Sequence, residues 1–153
     1  TLNYNTSEAH QKIAVAVQQM WKQKLGVEMT PQNFEWKVHT DKMLAGDFEM
    51  ARYAWCADYN EASTFLDLFT TYSGHNDIKF NNPEYDRLMK EAKTMADPSP
   101  NYTAAEAILT AEMPIIPIYH YAKVDMIKPD IKGLPQNNVQ QTWYAKDLYR
   151  IQK

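Results

Sequence analysis

The feature that most narrows what this chain can fold into is an alternation of short extended runs with helical runs that end on glycine. Residues 2–5 read as a strand feeding a helix, with Thr6 or Ser7 as N-cap. Ile13, Val17, Met20, Trp21 and Leu25 then recur at helical spacing, and Gly26 supplies a left-handed stop. A second strand is expected over residues 27–30 or a little beyond, a helix over 36–45 closed by Gly46, and a third strand over 48–55. That order, β-α-β-α-β with short links, predicts an α/β unit with a largely parallel sheet.

Beyond it, residues 63–72 read as a short helix with apolar Phe65, Leu66, Leu68 and Phe69, and 73–80 as loop. Asn82 is placed to cap a helix with Pro83 at its first position and Tyr85, Leu88, Met89, Ala92 and Met95 along one stripe. The turn Asp97-Pro98-Ser99-Pro100 separates it from a helix over roughly residues 102–112, ending before Pro114. An extended apolar segment follows over 115–121. Lys128-Pro129, Gly133, Pro135 and Asn137-Asn138 break the remainder before a last extended piece over 143–151. The expected division is 1–121 as part of one lobe and 122–153 as a returning segment that joins a neighbouring one.

Composition excludes several classes. A chain of 153 residues with 44% apolar and 12% aromatic content can bury a core and does not read as disordered. A formal net charge of −3 gives no electrostatic footprint for nucleic acid. The longest apolar candidate for a membrane span, residues 115–119, is short and broken by Pro117. The first residues carry neither a basic nor an apolar leader region and no initiator Met, so the chain reads as a processed product or an excised piece. A single cysteine, Cys56, allows no internal disulfide.

Most chemistries fail on spacing. His10, His39, His75 and His120 are scattered, with no metal-binding pair motif. A calcium loop opening at Asp58 has Ser63 where glycine is needed and Phe69 where a glutamate is needed. Four glycines form no phosphate-cradling loop. A thiol hydrolase pairing Cys56 with His10 or His120 stays open on sequence distance, although Cys56 stands on no visible helix N-terminus.

What remains is recognition of a small charged ligand. Trp55-Cys56-Ala57-Asp58-Tyr59-Asn60-Glu61 sets one carboxylate among aromatic side chains after an apolar run, with Arg52 close upstream. Asp58 can hold an ammonium, and Arg52 and His10 can meet a carboxylate through charge-assisted hydrogen bonds. Blander readings stand beside these. Asp58 can be a cap or turn residue before Ser63, Arg52 a neutralising partner for Asp58 or another carboxylate, His10 a packed helix-face histidine, and Trp36 and Trp55 ordinary core.

That heptad resembles oligopeptide-binding proteins of bacterial ABC importers, as do Tyr4-Asn5-Thr6-Ser7 before a helix, Glu35-Trp36-Lys37, and the stretch from Ile118-Tyr119-His120-Tyr121 to Lys128-Pro129. The resemblance runs the length of the chain, and those proteins are substantially longer, so it implies their C-terminal portion. It implies an α/β, type II periplasmic-binding-protein-like fold: part of one lobe plus the C-terminal segment that returns to the other, missing N-terminal lobe. It further implies non-catalytic binding of short peptides in the periplasm for delivery to a membrane permease, with no cofactor or metal. On that resemblance Asp58 receives the peptide amino group and Arg52 and His10 help meet its carboxylate. Trp36 and Trp55 wall side-chain pockets, and backbone around Cys56 and Ala57 pairs with the ligand main chain. Met43 stands where similar proteins carry a further arginine, and Ser73-Gly74 through Phe80-Asn81-Asn82-Pro83 resembles murein-tripeptide binders, the rival to a general peptide receptor.

Overall fold

The computed structural model describes residues 1–122, 124–135 and 142–151; the expected break at Asn137-Asn138 lies outside the described residues. Its first half is a three-stranded parallel sheet in the order β2-β1-β3, with β1 (Leu2–Asn5) central, β2 (Pro31–Phe34) on one side and β3 (Met50–Ala51) on the other. Helices α1 (Glu8–Leu25) and α2 (Trp36–Ala45) are the two crossovers, as parallel pairing requires.

Both helices end as their glycines dictate. Gly26 (φ 67°) and Gly46 (φ 71°) adopt the left-handed conformation and donate to Lys22 and Met43 carbonyls respectively. Ser7 is the N-cap of α1 by backbone geometry, without a side-chain bond. The Glu35 carboxylate caps α2 by accepting from Lys37 N at 2.8 Å. The inward side of α1 carries Ala14, with Ile13, Val17 and Trp21 half-buried beside it, whereas Met20 and Leu25 of the expected stripe are exposed.

Two strands differ from expectation. The second begins at Pro31, not at residue 27, because the sheet takes residues in register with β1: Leu2 pairs with Pro31 and Asn5 with Phe34. Proline is tolerated there, at the first residue of an edge strand. Met29 is buried by packing rather than pairing, and its carbonyl accepts from Gln18 Nε2 at 2.8 Å. The third strand covers only Met50–Ala51 of the expected eight residues, since β1 offers it Leu2 and Asn3 alone. One further bond, Arg52 N to the Asn3 carbonyl at 2.7 Å, ends the pairing.

The second half is helical. A short α3 (Ser63–Leu66) continues as a 3₁₀ turn over Asp67–Phe69, followed by α4 (Pro83–Ala92) and α5 (Ser99–Glu112). Asn82 caps α4 as its sequence demands, with Oδ1 accepting from Glu84 N and Tyr85 N, both at 2.9 Å. Leu66, Tyr85, Leu88, Met89, Ala105 and Leu109 form a core with Phe69, Phe80 and Tyr102 against it. Tyr85 is fully buried, and its hydroxyl donates to the Leu66 carbonyl at 2.7 Å. Met95, placed on this stripe by sequence, lies past the end of α4 and is exposed. Helix α5 starts at Ser99, three residues earlier than expected, because Pro100 falls in the first turn, where its missing N–H is not needed.

The extended segment over 115–121 leaves Ile116, Ile118, Tyr119 and Tyr121 exposed. In the last stretch β4 (Ile131–Lys132) pairs antiparallel with β5 (Tyr149–Arg150), so the expected extended piece over 143–151 is a 3₁₀ turn, Ala145–Asp147, and a two-residue strand. Gly133 (φ 89°) lies so close to this turn that a Cβ would collide with the Asp147 carbonyl.

Candidate functional site

Strand β1 and the chain leaving β3 gather one group of the predicted residues. Arg52 follows the last paired residue of β3 and is half-buried. Its guanidinium donates from Nη2 to the Tyr121 hydroxyl and lies 5.8 Å from that ring's centroid. His10, in the first turns of α1, is half-buried with Nδ1 3.4 Å from the Asn5 carbonyl. Trp36, the first residue of α2, is 56% exposed, with its ring centroid 6.3 Å from that of His39.

His39 ties this group together. It is 1% exposed, and Nε2 lies 3.1 Å from the Arg52 carbonyl. A carbonyl can only accept, so Nε2 carries the ring proton and Nδ1 is an acceptor. That Nδ1 is buried and has no hydrogen-bond partner among the described residues. Burial pushes the imidazole below its ordinary value. The hydrogen bond to the Arg52 carbonyl opposes this, while the charges of Arg52 and His10 add to it.

The second group follows along the chain. Residues 53–57 belong to no helix or strand, and their main chain pairs with no other strand among the described residues. Trp55 is half-buried, its ring 4.8 Å from that of His75 and its Nε1 buried without a partner among the described residues. Cys56 and Asp58 are exposed and Ala57 half-buried. Asp58 is not the cap of α3: that position is Ala62, and Asp58 instead opens a bend, donating its backbone N–H to Thr64 Oγ1 at 3.0 Å. Downstream, Glu61 accepts from Ser63 N at 3.1 Å. Burial pushes the Glu61 carboxyl up, but hydrogen bonds from Ser63 and Tyr102 outweigh it and leave it below its usual value.

The candidate residues supply a guanidinium and a histidine in the first group and a carboxylate in the second, six residues along the chain from Arg52, with Trp55 and unpaired main chain between them in sequence. Among the described residues no three His, Cys, Asp or Glu side chains gather as metal ligands would, and no helix is long and apolar enough to cross a membrane. Sequence reasoning overlooked His39 as a member of this site. The available signal was its place on the inner stripe of α2, with Trp36 three residues before it and Met43, also buried, four after. Tyr121 was visible only within a motif, since nothing local says that it meets Arg52.

Known proteins are similar to this chain over nearly its whole length. It is 46% identical over 99% of its length to the periplasmic murein peptide-binding protein of Escherichia coli, covering 29% of that protein. The solved structure of the Escherichia coli murein tripeptide-binding protein superposes with a TM-score of 0.87 at 45% identity, over 99% of this chain and 30% of the other. Two further relatives are each 37% identical and covered over 28% of their length. One is the periplasmic oligopeptide-binding protein of Salmonella typhimurium, matched over 98% of this chain, and the other the probable deoxycholate-binding periplasmic protein of Escherichia coli, over 97%. The chain thus spans somewhat under a third of the relatives it matches, and its α/β fold is that of periplasmic peptide-binding proteins. With the profile of the middle region of that family matching residues 1–77, the chain belongs to the bacterial extracellular solute-binding proteins, family 5.

Proposed function

We propose that this chain is a segment of a periplasmic receptor that binds short peptides without catalysis and delivers them to the membrane permease of an ABC importer. Asp58 holds the peptide amino group, and Arg52 and His10 meet its carboxylate. Trp36 and Trp55 bound side-chain pockets, and main chain around Cys56 and Ala57 pairs with the ligand backbone. Residues 1–121 belong to one lobe, and 122–153 return to the other, whose remainder lies in the segments that the longer relatives possess.

The observation that carries this reading is the run 53–57, which leaves β3 with its main chain unpaired between Arg52 and Asp58. An extended peptide that adds to such an edge gains main-chain bonds independent of its own side chains, which supports broad specificity. Cys56 lies in no helix and His10 turns its Nδ1 to the Asn5 carbonyl, which supports binding over the thiol-hydrolase alternative, since that needs a base or helix N-terminus beside the thiol.

Murein peptide is the second reading, favoured by 46% identity to the murein peptide-binding relative against 37% to the oligopeptide-binding one. Met43 is buried at 4% exposure, so the methionine there is a packed side chain with no charge to offer a carboxylate. Calorimetric titration of the full-length protein with tri-lysine, tetrapeptides, murein tripeptide and deoxycholate separates these. Tight binding of the lysine and tetrapeptide ligands is the expected result. Binding of murein tripeptide alone selects the second reading, and binding of deoxycholate alone refutes both.

A further inference from the structure

The site contains a buried, singly protonated imidazole whose role is not exhausted by packing. His39 is held between the Trp36 ring, 6.3 Å away on its own helix, and the carbonyl of Arg52, 3.1 Å from its Nε2. This bond crosses from α2 to the point where the chain stops pairing with β1. Arg52 spends its N–H on the Asn3 carbonyl and its carbonyl on His39, so both backbone groups of this residue are fixed and only its side chain is left to reach outward. The Asn3 bond is ordinary ladder pairing. The His39 bond depends on one side chain with its proton on Nε2.

We propose that His39 is a positioning residue for the Arg52 guanidinium: its Nε2–H fixes the peptide plane from which Arg52 departs, and taking a second ring proton releases that grip and weakens carboxylate recognition. This rests on the reading of Arg52 as a carboxylate receptor. The second proton would sit on Nδ1, which is buried with no acceptor among the described residues. A buried N–H left unpaired is costly. The surroundings add no compensating negative charge. The charges of Arg52 at the end of β3 and His10 on α1 both disfavour a cation at His39, against which the bond to the Arg52 carbonyl works, and β1, against which α2 packs, contributes only Tyr4 as a titratable residue. An imidazolium left in place would keep the Nε2–H donor but strand its Nδ1–H and an uncompensated charge in the interior, which drives the ring away from the Arg52 carbonyl.

The test uses the full-length protein, titrated by calorimetry with tri-lysine as the free acid and as its C-terminal amide, from about pH 7.5 to about pH 5. His39→Phe keeps the ring volume and removes the donor. His39→Gln keeps a donor and cannot titrate in this range. For His39→Phe the expected loss is about tenfold for the free acid, the scale of one hydrogen bond, and less than twofold for the amide. The wild-type protein should lose affinity for the free acid relative to His39→Gln as the pH falls, every other residue being common to both chains. Equal losses of both ligands in His39→Phe mark mere packing and overturn the proposal, as do parallel pH profiles of wild type and His39→Gln. If His39→Phe does not fold, the comparison of wild type with His39→Gln decides alone. A wild-type protein that binds neither ligand at any pH refutes the reading of the site, and the proposal with it. A wild type that binds both, matched by its variants, refutes the proposal only.

Discussion

Arg52 and Tyr121 are joined across 69 residues of sequence, the guanidinium donating to the phenol while lying 5.8 Å from the ring centroid. The contact attaches the segment over 115–121 to the end of β3 and, among the described residues, engages one of the guanidinium's five donors. An arginine held this way offers a planar fork to a carboxylate, which a lysine cannot reproduce. Arg52→Lys in the full-length protein should therefore weaken free-acid peptides about tenfold and leave amidated peptides within twofold. Calorimetry with the matched pair checks this, and equal weakening of both ligands would place Arg52 outside carboxylate recognition.

At the other end stands Asp58, exposed in this chain, which spans under a third of its relatives' length. Enclosed by the remaining segments with a peptide ammonium beside it, it would form an ion pair whose disruption costs about 3 to 5 kcal/mol. Asp58→Ala in the full-length protein should nearly abolish peptide binding, and the isolated chain, lacking that enclosure, should bind weakly or undetectably. Affinity of the variant within twofold of wild type would sink the assignment.

How much of this was legible in the sequence depended on whether the signal was local. The cap Asn82-Pro83, the stops at Gly26 and Gly46 and the stripe Tyr85-Leu88-Met89-Ala92 each act within a few residues, and each lies where it was read. Strand limits are set by a partner elsewhere in the chain. Residues 27–30 carried apolar Val27 and Met29, yet the ladder took Pro31–Phe34 because that is what Leu2–Asn5 meets in register. The apolar run over 48–55 pairs only as far as β1 allows. Among the candidate residues, the charged and aromatic ones after β3 stood out by type, whereas His39 resembled any polar residue on a helix until its burial and its bond to Arg52 were seen.

The helical half should depend on a single hydroxyl more than its size suggests. Tyr85 is completely buried and donates to the Leu66 carbonyl; burial, with nearby Asp67 a lesser cause, raises its phenol far above the ordinary value. Tyr85→Phe removes this bond from the core and should cost about 1 kcal/mol. Denaturant unfolding of the intact protein measures it, and a change below about 0.5 kcal/mol, the level of surface substitutions, would show the bond to be dispensable.

Asn76 should matter comparably in a loop. Its side chain donates to the Thr70 carbonyl at 3.2 Å and the Phe80 carbonyl at 2.8 Å, and accepts from Phe80 N at 2.9 Å. These bonds close the loop that brings Phe80 edge-on to Tyr85, ring centroids 5.6 Å apart. Asn76→Ala frees both backbone groups of Phe80 and leaves the Thr70 carbonyl only its bond from Ser73 N, part of which loss water can make good, and should destabilise the protein by about 2 kcal/mol. Asn76→Asp, which keeps the acceptor but not the donors, should fall between wild type and alanine. An aspartate variant as unstable as the alanine would locate the effect elsewhere.

Stability should also fall on acidification through His39. Its folded-state value is lowered from 6.5, with burial the leading cause, so between that lowered value and 6.5 the unfolded chain binds more protons than the folded one. Stability is then fully present above about pH 6.5 and declines as the pH falls through the folded-state value. Denaturant midpoints of the intact protein and of His39→Gln, measured at about pH 7.5 and about pH 5, isolate this contribution, since every other residue is common to both. The wild type should lose more stability than the variant over that interval. Equal losses would mean that the imidazole accepts its second proton in the folded state as readily as in the unfolded one, through an opening at Nδ1 that the packing of α2 against the sheet does not show.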